Sequence, residues 1–566
     1  MNTDWKMPIN KMKVRDPNSL SRLYHTVKHL RWRQIYYRFK YRLSFWSRPS
    51  TSDKLTISPK HKSDDSQLRK YRNSLRQLYN KEEIERGLFR FINLKEKTTF
   101  PPDWEFPSPN KLWLYQLHYF EWIFCLDYED AKRCTKDWIN NYQFTRNRDG
   151  WEPYPTSLRL ISWCIYFFTI QQNQLRKDPA FSHLLSESIQ TQTNWLERRL
   201  EYHLLANHLF ENAAALSIVG YFFEGAHAER WLQKGARILN QEIKEQILPD
   251  GMHFERSPMY HQRMLQVLQE VSLSYEGDER NQWQETIERM QQAFDYTRHP
   301  DGEIALLNDS SFNVYPLPLK HHDHSKLIFG NWQLPDAGYF GYSNEEGNYI
   351  VIDGGSIGPD YNPGHAHGDI FSYEMSWNHK RFIVDSGNFD YEPGSMRDYC
   401  RSTKAHNTVA INRKDQCDFW GTFRVGKRGK PENVKVIQTQ NGFQFKGDHN
   451  AYERISARVK HTRIADFDHK SGLMINDSIE SIEPVDAVSR VHFHPECTCG
   501  DLKDGQMVVT RGEVRCVISW DHNSVAKLED SYYCPEFNVR QNNKALALFQ
   551  HGSDLKIKYK IKFMDE

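Results

Sequence analysis

The chain has 566 residues, which is enough for two or more domains with hydrophobic cores of their own. Its formal net charge is only +2, so no overall field favours nucleic acid as a partner. The longest aromatic and aliphatic run, residues 160–170, has about half the length of a membrane span, which predicts a buried helix and no integral membrane segment. The nine cysteines include no CxxC pair, so neither a zinc ribbon nor a disulfide framework is indicated.

Residues 1–66 are predicted to form a basic aromatic N-terminal segment and a linker. Between Arg22 and Arg42, seven lysines or arginines interleave with aromatic residues, among them Trp32, Tyr36, Tyr37, Phe39 and Tyr41. This stretch is either an amphipathic helix for a membrane surface or a polysaccharide, or an ordinary helix with a solvated cationic face. No apolar region of a secretory signal is visible, and residues 47–66 have the composition of a linker.

Residues 67–330 are predicted to be helical, because Leu, Trp, Phe and Ala recur there at spacings of three and four. Asp-Gly pairs punctuate this half at residues 149–150, 250–251 and 301–302, at intervals of 101 and 51 residues. These intervals suit a repeating helical hairpin, which builds a solenoid or a closed α/α toroid.

Residues 331–566 are predicted to form an antiparallel β-sandwich. Short runs of β-branched and aromatic residues, such as residues 348–352, 381–384 and 408–411, are separated by Gly, Asn and Asp. The predicted fold class is therefore a multidomain α+β protein, with helices first and sheets second.

The first polar cluster of the helical half surrounds Asn207, His208 and Glu211. On a helix these three side chains project from one neighbourhood, because they are three or four residues apart. In a plain core each of them would need a polar partner, which favours a functional site over a surface turn with an incidental histidine.

The second cluster runs from Asp250 to His261. Ser257 followed by Pro258 predicts a helix start, with Ser as the N-cap and Pro at the first helical position. Tyr260 then falls in the first turn, where the helix dipole favours an anion and therefore proton loss from the hydroxyl. That position suits a general acid or base; the alternative is a tyrosine that only packs its ring.

The sheet half carries histidines and aspartates between residues 364 and 408. Alternation along an extended chain places His365 and His367 on one face. His367, Asp385 and His406 offer two imidazoles and one carboxylate, a set that binds a divalent metal; hydrogen-bonded core histidines are the alternative. The basic residues nearby, Arg397, Arg401 and Lys404, could face acidic groups of a substrate or be solvated.

These residues resemble those of the heparinase II/III-like polysaccharide lyases. The resemblance covers most of residues 100–560 and is carried by four separated pieces in order. The pieces are Asn207-His208 with Glu211, Glu255-x-Ser257-Pro258-x-Tyr260-His261, Gly364-His365-x-His367-x-Asp369 and Ala405-His406-Asn407-Thr408. The resemblance implies an incomplete (α/α) toroid followed by an antiparallel β-sandwich, in agreement with the periodicities above.

For chemistry, the resemblance implies β-elimination in a polysaccharide that contains uronic acid. Asn207 and His208 match residues that neutralise the uronate carboxylate, so that charge can spread onto it as the C5 proton leaves. Tyr260 and His365 match the proton-transfer residues, with Tyr260 as the acid toward the leaving oxygen. Either Tyr260 or His365 is the base, depending on the epimer of the uronate.

His367, Asp385 and His406 match the family's metal positions, where the ion is structural and holds the loop that bears His365. Zinc is the first expectation for this ion, ahead of calcium or manganese. Six further residues are predicted to bind substrate or form the cleft: Tyr115, Trp151, Arg159, Glu211, His261 and Arg401. Arg159 could instead pair within the buried helix at whose start it lies.

Two alternatives to a lyase stay open on the sequence. One is a glycoside hydrolase on an α/α scaffold, with Glu211 and Glu255 as paired carboxylates. The other is a non-catalytic glycan-binding protein of exopolysaccharide assembly. An acidic polysaccharide is the expected partner, and the chain could form a homo-oligomer. Its location is open, because members of the family are usually periplasmic or secreted, whereas the absence of a visible secretory signal indicates a cytoplasmic protein.

Overall fold

The computed structural model describes residues 19–43, 55–60, 75–145, 148–318 and 329–564. Twelve α-helices occupy the N-terminal side of these ranges, and their bounds follow in chain order. They are α1 Ser19–Val27, α2 Trp32–Leu43, α3 Lys81–Glu85, α4 Lys111–Tyr119, α5 Tyr128–Asn141, α6 Pro153–Ile165, α7 Gln172–Leu175, α8 Pro179–Arg198, α9 Ala206–Phe222, α10 Ala226–Gln246, α11 Pro258–Leu273 and α12 Glu279–Tyr296.

The helical half also contains four short strands, which are β1 Ser58–Pro59, β2 Leu88–Phe91, β3 Leu94–Lys97 and β4 Phe223–Glu224. Strand β1 pairs with β4, whereas most of the predicted linker 47–66 lies outside the described residues. None of the helices in the described ranges combines the length and hydropathy that a membrane span requires.

Local sequence explains where several helices begin. Ser257 accepts a hydrogen bond from the backbone N–H of Tyr260 and Pro258 opens α11, as predicted. The predicted buried helix also forms: α6 continues through a π-helical turn to Ile170. The residues of α6 are buried except at its first turn.

Helix α9 lies in the middle of the helical core. Its alanines Ala213, Ala214 and Ala215 are fully buried, and Gly235 of α10 packs where an added Cβ would lie 2.3 Å from the hydroxyl of Ser217. This close approach requires small residues on both helices. Because α9 is apolar almost all round, it is fixed in the core and holds its polar first turn, with Asn207 and His208, in a defined place.

Two antiparallel sheets form the C-terminal half. A five-stranded sheet runs in sequence order through β5 Gly330–Leu334, β6 Tyr339–Ser343, β7 Tyr349–Asp353, β8 Tyr373–Trp377 and β9 Lys380–Ile383. A ten-stranded sheet contains β10 Val409–Ile411, β11 Pro431–Thr439, β12 Gly442–His449, β13 Lys460–Asp468, β14 Gly472–His492, β15 Thr498–Cys499, β16 Gln506–Arg511, β17 Val514–Trp520, β18 Val525–Tyr533 and β19 Gln541–Met564. One short helix, α13 Ser395–Arg401, lies between β9 and β10 in the chain.

The two sheets share one hydrophobic core. Phe340 of β6 contacts Phe445 of β12 at 5.9 Å between ring centroids, and Tyr342 contacts Phe467 at 5.5 Å. The helical half followed by an antiparallel sandwich is therefore confirmed. The toroidal arrangement of the helices stays a prediction of the resemblance.

Candidate active site

A cleft opens where the helical half meets the sheet half, and aromatic side chains dominate its wall. From the helical half it is lined by Lys111, Leu112, Tyr115, Gln116, Tyr119, Tyr154, Asn207, His208, Met259, Tyr260, Val314 and Tyr315. The sheet half adds Tyr391, Glu392, Pro393, Thr422, Phe423 and Phe537. Flat rings of this kind suit stacking on sugars, and here they are tyrosines and phenylalanines.

Tyr260, which lines this cleft, packs against the ring of His365. Their ring centroids are 4.0 Å apart, and the Tyr260 hydroxyl lies 3.0 Å from that of Tyr391. Burial raises the pKa of Tyr260 well above its usual value, and Tyr391 adds to the rise. Burial therefore opposes the proton loss that the helix dipole was expected to favour at Tyr260.

Asp309 orients His365. Its Oδ2 lies 2.8 Å from Nδ1 of His365, its Oδ1 lies 2.8 Å from Nε2 of His367, and Arg397 bonds both carboxylate oxygens. Burial alone would raise the pKa of Asp309, but Arg397 and the two histidines hold it well below its usual value. Asp309 is thus an ionised acceptor, and both facing ring nitrogens must carry protons.

The tautomer of His365 follows from that pairing. With a proton on Nδ1, the neutral ring has its lone pair on Nε2, and burial keeps the ring neutral by lowering its pKa. The side chain is 8% exposed, and Nε2 lies 3.9 Å from the carboxyl of Glu255. The unprotonated Nε2 of His365 can therefore accept a proton.

Asn207 and His208 reach the cleft from the first turn of α9, as predicted. The ring of His208 packs on Tyr154 at 4.7 Å between centroids, and its Nδ1 lies 3.1 Å from the buried carboxylate of Glu201. Glu201 is fixed in turn by the amide of Asn212. Asn207 thus offers an amide to the cleft, while Glu201 orients the imidazole of His208.

Glu255 lies behind His365 and is only 2% exposed. No side chain among the described residues forms a hydrogen bond with its carboxyl oxygens. Burial raises its pKa to about 8, Asp309 adds to the rise, and the backbone N–H of Asn207 opposes it. A carboxyl that is neutral near pH 7 adds no negative charge behind His365.

His367, Asp385 and His406 come together as predicted, with one ligand atom of each within 4.8 Å of the others. His367 Nδ1 and His406 Nε2 are both buried and have no hydrogen-bond partner among the described residues. The opposite nitrogens are occupied, by Asp309 and Asp385 respectively. Two buried imidazoles, each with one nitrogen that lacks a partner, lie beside a carboxylate, and this is a donor set that a divalent ion satisfies, so these residues fit a metal.

Several predicted cleft residues lie elsewhere. Arg159 is fully buried, bonds the backbone oxygens of His118 and Gly150, and packs over Trp138, so it belongs to the helical core. Trp151 is buried against Trp138 and Phe144, away from the cleft wall. Tyr115 does line the cleft and bonds Glu152.

Four more predictions are corrected in the same way. His261 is fully buried and bonds the backbone of His253 and Met290. Arg401 holds the backbone oxygens of Ala366, Gly421 and Thr422, so it shapes the loop beneath the cleft and faces no substrate. Arg397 is likewise committed to Asp309. Glu211 sits behind Tyr154 and pairs with Arg263 at 2.6 Å.

Sequence reasoning missed Asp309 and Tyr391. Asp309 lies in Asn308-Asp309-Ser310, which reads as an ordinary turn. Asn308 has a left-handed φ of 55° and accepts a hydrogen bond from the backbone of His367. The one signal is that an Asp follows the buried apolar run 304–307, as Asp385 follows the run 381–384.

Comparison with known proteins assigns the chain to a family. The family model described as "Heparinase II/III N-terminus" matches residues 110–327, and the one described as "Heparinase II/III-like, C-terminal" matches residues 330–562. The chain belongs to the heparinase II/III-like family. The first strand of the sheet half begins at Gly330, where the second match begins.

The relatives are distant. A heparin-sulfate lyase of Bacteroides stercoris is 24% identical over 360 residues, covering 58% of this chain and 50% of the relative. A heparin-sulfate lyase of Pedobacter heparinus is 23% identical over 349 residues, covering 53% and 52%. The chain thus spans about half the length of the curated relatives it matches.

Solved structures share the fold over nearly the whole chain. The heparan sulfate lyase HepC of Pedobacter heparinus aligns with a TM-score of 0.59 at 17% identity, covering 94% of this chain and 88% of that one. A structure of heparinase III aligns with a TM-score of 0.67 at 16% identity, covering 91% and 88%.

Proposed function

We propose that this protein is a polysaccharide lyase that cleaves a glycan containing uronic acid by β-elimination. The curated relatives act on heparin sulfate by name, which supports a glycosaminoglycan-like substrate. Alginate-like chains and bacterial exopolysaccharides carry the same uronate group and belong to the same proposal. The observation that carries it is the contact between Tyr260, which lines an aromatic cleft, and His365, whose ring centroid lies 4.0 Å away.

The reaction needs the uronate carboxylate to be neutralised first. The amide of Asn207 and the imidazole of His208 supply hydrogen bonds to it in this proposal. These bonds strengthen as charge moves from C5 onto the carboxylate, so they favour the transition state over the bound substrate.

His365 Nε2 then accepts the C5 proton of the sugar. The electron pair of the C5–H bond forms the C4–C5 double bond, and the bond between C4 and the bridging oxygen breaks. Tyr260 donates its proton to that oxygen. Asp309 stabilises the imidazolium formed on His365, as a buried carboxylate does beside a catalytic histidine.

His367, Asp385 and His406 would hold a divalent ion, for which zinc is the first expectation. When bound, the ion would supply a fixed positive charge that locks these three side chains in place. Asp309 connects this proposed metal site to the reaction, because it bonds His367 on one side and His365 on the other.

The hydrolase alternative has weaker support. Its pair of carboxylates required Glu211 and Glu255 to flank the glycosidic bond. Glu211 is fully buried behind Tyr154 and paired with Arg263, so it is not presented to the cleft. A non-catalytic glycan-binding protein would bind the glycan without cleaving it, so a measurement of turnover distinguishes it from a lyase.

The test is incubation of the full chain with heparosan, hyaluronan, chondroitin, heparan sulfate, alginate and a bacterial uronate exopolysaccharide. Ultraviolet absorbance of the unsaturated product should rise with one of these glycans for the wild type and stay flat for Tyr260→Phe. Glycan binding with no absorbance change for any substrate would reject the lyase and favour the binding protein.

A further inference from the structure

Helices α1 and α2 carry a stripe of exposed apolar side chains at helical spacing. On α1 these are Leu20, Tyr24 and Val27, with 75%, 66% and 42% of their surface exposed. On α2 they are Trp32, Tyr36, Phe39 and Leu43, with 76%, 48%, 63% and 77% exposed. Steps of three and four residues align each set along one face of its helix. Soluble surfaces rarely gather large apolar groups in this way.

The opposite face of the two helices is fixed to the body of the protein. On α1, Arg22 pairs with Asp418, and Thr26 bonds the backbone oxygen of Val425. On α2, Gln34 is 1% exposed and bonds the backbone oxygens of Leu204 and Tyr361, one from each half of the molecule. The helices are therefore docked, and the apolar stripe faces outward because the polar contacts face inward.

Positive charge surrounds the stripe. Residues 19–43 contain seven Lys or Arg and no Asp or Glu, whereas the whole chain has 75 basic and 73 acidic residues. Lys28, Arg33, Lys40 and Arg42 are exposed. Long basic side chains next to an apolar stripe can reach outward while their stems lie along it. The protein's small excess of positive charge is thus concentrated at this surface.

We propose that α1 and α2 bind the surface of an anionic lipid bilayer, lying in its plane with the apolar stripe inserted among the headgroups. An outward apolar stripe flanked by cations, with Trp and Tyr among the apolar residues, is the pattern of an interfacial helix. An acidic polysaccharide fits less well, because the aliphatic side chains of Leu20, Val27 and Leu43 have no flat face to stack on a sugar. The inference is independent of the lyase proposal and concerns where the protein works.

The experiment is flotation of the full chain with vesicles of phosphatidylcholine alone or mixed with phosphatidylglycerol. The wild type should float with the anionic vesicles and much less with the neutral ones. Trp32→Ser combined with Phe39→Ser should weaken that binding at least about tenfold, because two rings that would be inserted in the bilayer are lost. Ile437→Ser combined with Ile482→Ser removes two side chains of the sheet half that are 62% and 68% exposed, and should leave binding unchanged.

A charge pair completes the test. Lys40→Glu with Arg42→Glu should weaken binding to anionic vesicles and make it less sensitive to salt, whereas Lys558→Glu with Lys560→Glu should not. The proposal is overturned if the wild type does not float, or if the apolar variant floats as well as its control. It is also overturned if the wild type forms a salt-independent dimer that the apolar variant dissociates, because the stripe would then be a dimer interface. The same holds if the apolar variant loses only the binding of a glycan. Flotation uses no glycan, so its failure leaves the lyase proposal untouched.

Discussion

Asp309 Oδ2 lies 2.8 Å from His365 Nδ1, and this hydrogen bond defines which nitrogen of His365 can accept a proton. The other oxygen of the same carboxylate holds His367, a proposed metal ligand. One residue therefore connects the proposed base to the proposed metal site, and Arg397 keeps that residue ionised. The predictions below examine each part of this arrangement.

Asp309→Asn should lower kcat by about 10²–10⁴-fold with little change in KM, because the amide no longer enforces the reactive tautomer of His365. The rate of unsaturated-product formation measures this. The control is Asp486→Asn, which alters an exposed Asp–His pair with the same 2.8 Å contact, to His551. Circular dichroism verifies folding, since Arg397 loses its partner. A folded Asp309→Asn protein with wild-type kcat would contradict the assignment.

Tyr260→Phe should lower kcat by about 10²–10⁴-fold, because the leaving oxygen loses its proton donor. Tyr391→Phe removes only the hydroxyl that bonds Tyr260 at 3.0 Å, and should cost no more than about tenfold. Steady-state rates on the best glycan of the panel distinguish the two. Equal losses in both variants would mean that Tyr391, and not Tyr260 alone, carries the proton.

Much of this site could be predicted from the sequence, because local signals were strong. The Ser257 cap and the helical period placed Tyr260 and Asn207 correctly, and the spacing of His367, Asp385 and His406 predicted the cluster. Arg159 and Trp151 were wrongly assigned to the cleft, because the sequence alone does not distinguish an aromatic or basic residue in the helical core from one that lines a cleft. Asp309 was missed because its partners His365 and Arg397 are 56 and 88 residues away in the chain.

Activity should fall as pH rises through about 8, where Glu255 ionises beside Asp309 and His365 and would repel the substrate carboxylate. The folded-state pKa of Glu255 is raised from 4.5 to about 8, so its contribution to stability is present below the lower value and lost as pH rises through the higher one. Glu255→Gln stays neutral, so it should reduce both the alkaline loss of kcat/KM and the decrease in unfolding temperature between about pH 5 and 9. An unchanged pH profile in this variant would show that another group causes the loss of activity at alkaline pH.

His367→Ala should lose the bound metal, whereas His365→Ala should keep it and lose activity. The reason is that His367 Nδ1 has no partner at the cluster, while His365 packs against Tyr260 of the cleft wall. Elemental analysis of protein purified with zinc should give about one ion per chain for wild type and His365→Ala. Asp309→Asn should weaken metal affinity by about 10–100-fold through His367. Equal metal content in the two histidine variants would contradict the division of roles.

The most direct test of β-elimination is mass analysis of the products made in water labelled with heavy oxygen. A lyase adds no water, so every product should be free of the label, and the new non-reducing end should be lighter by one water than a hydrolysis product. Incorporation of heavy oxygen at the cleaved bond, with no unsaturated sugar, would contradict the account and assign the protein to hydrolysis.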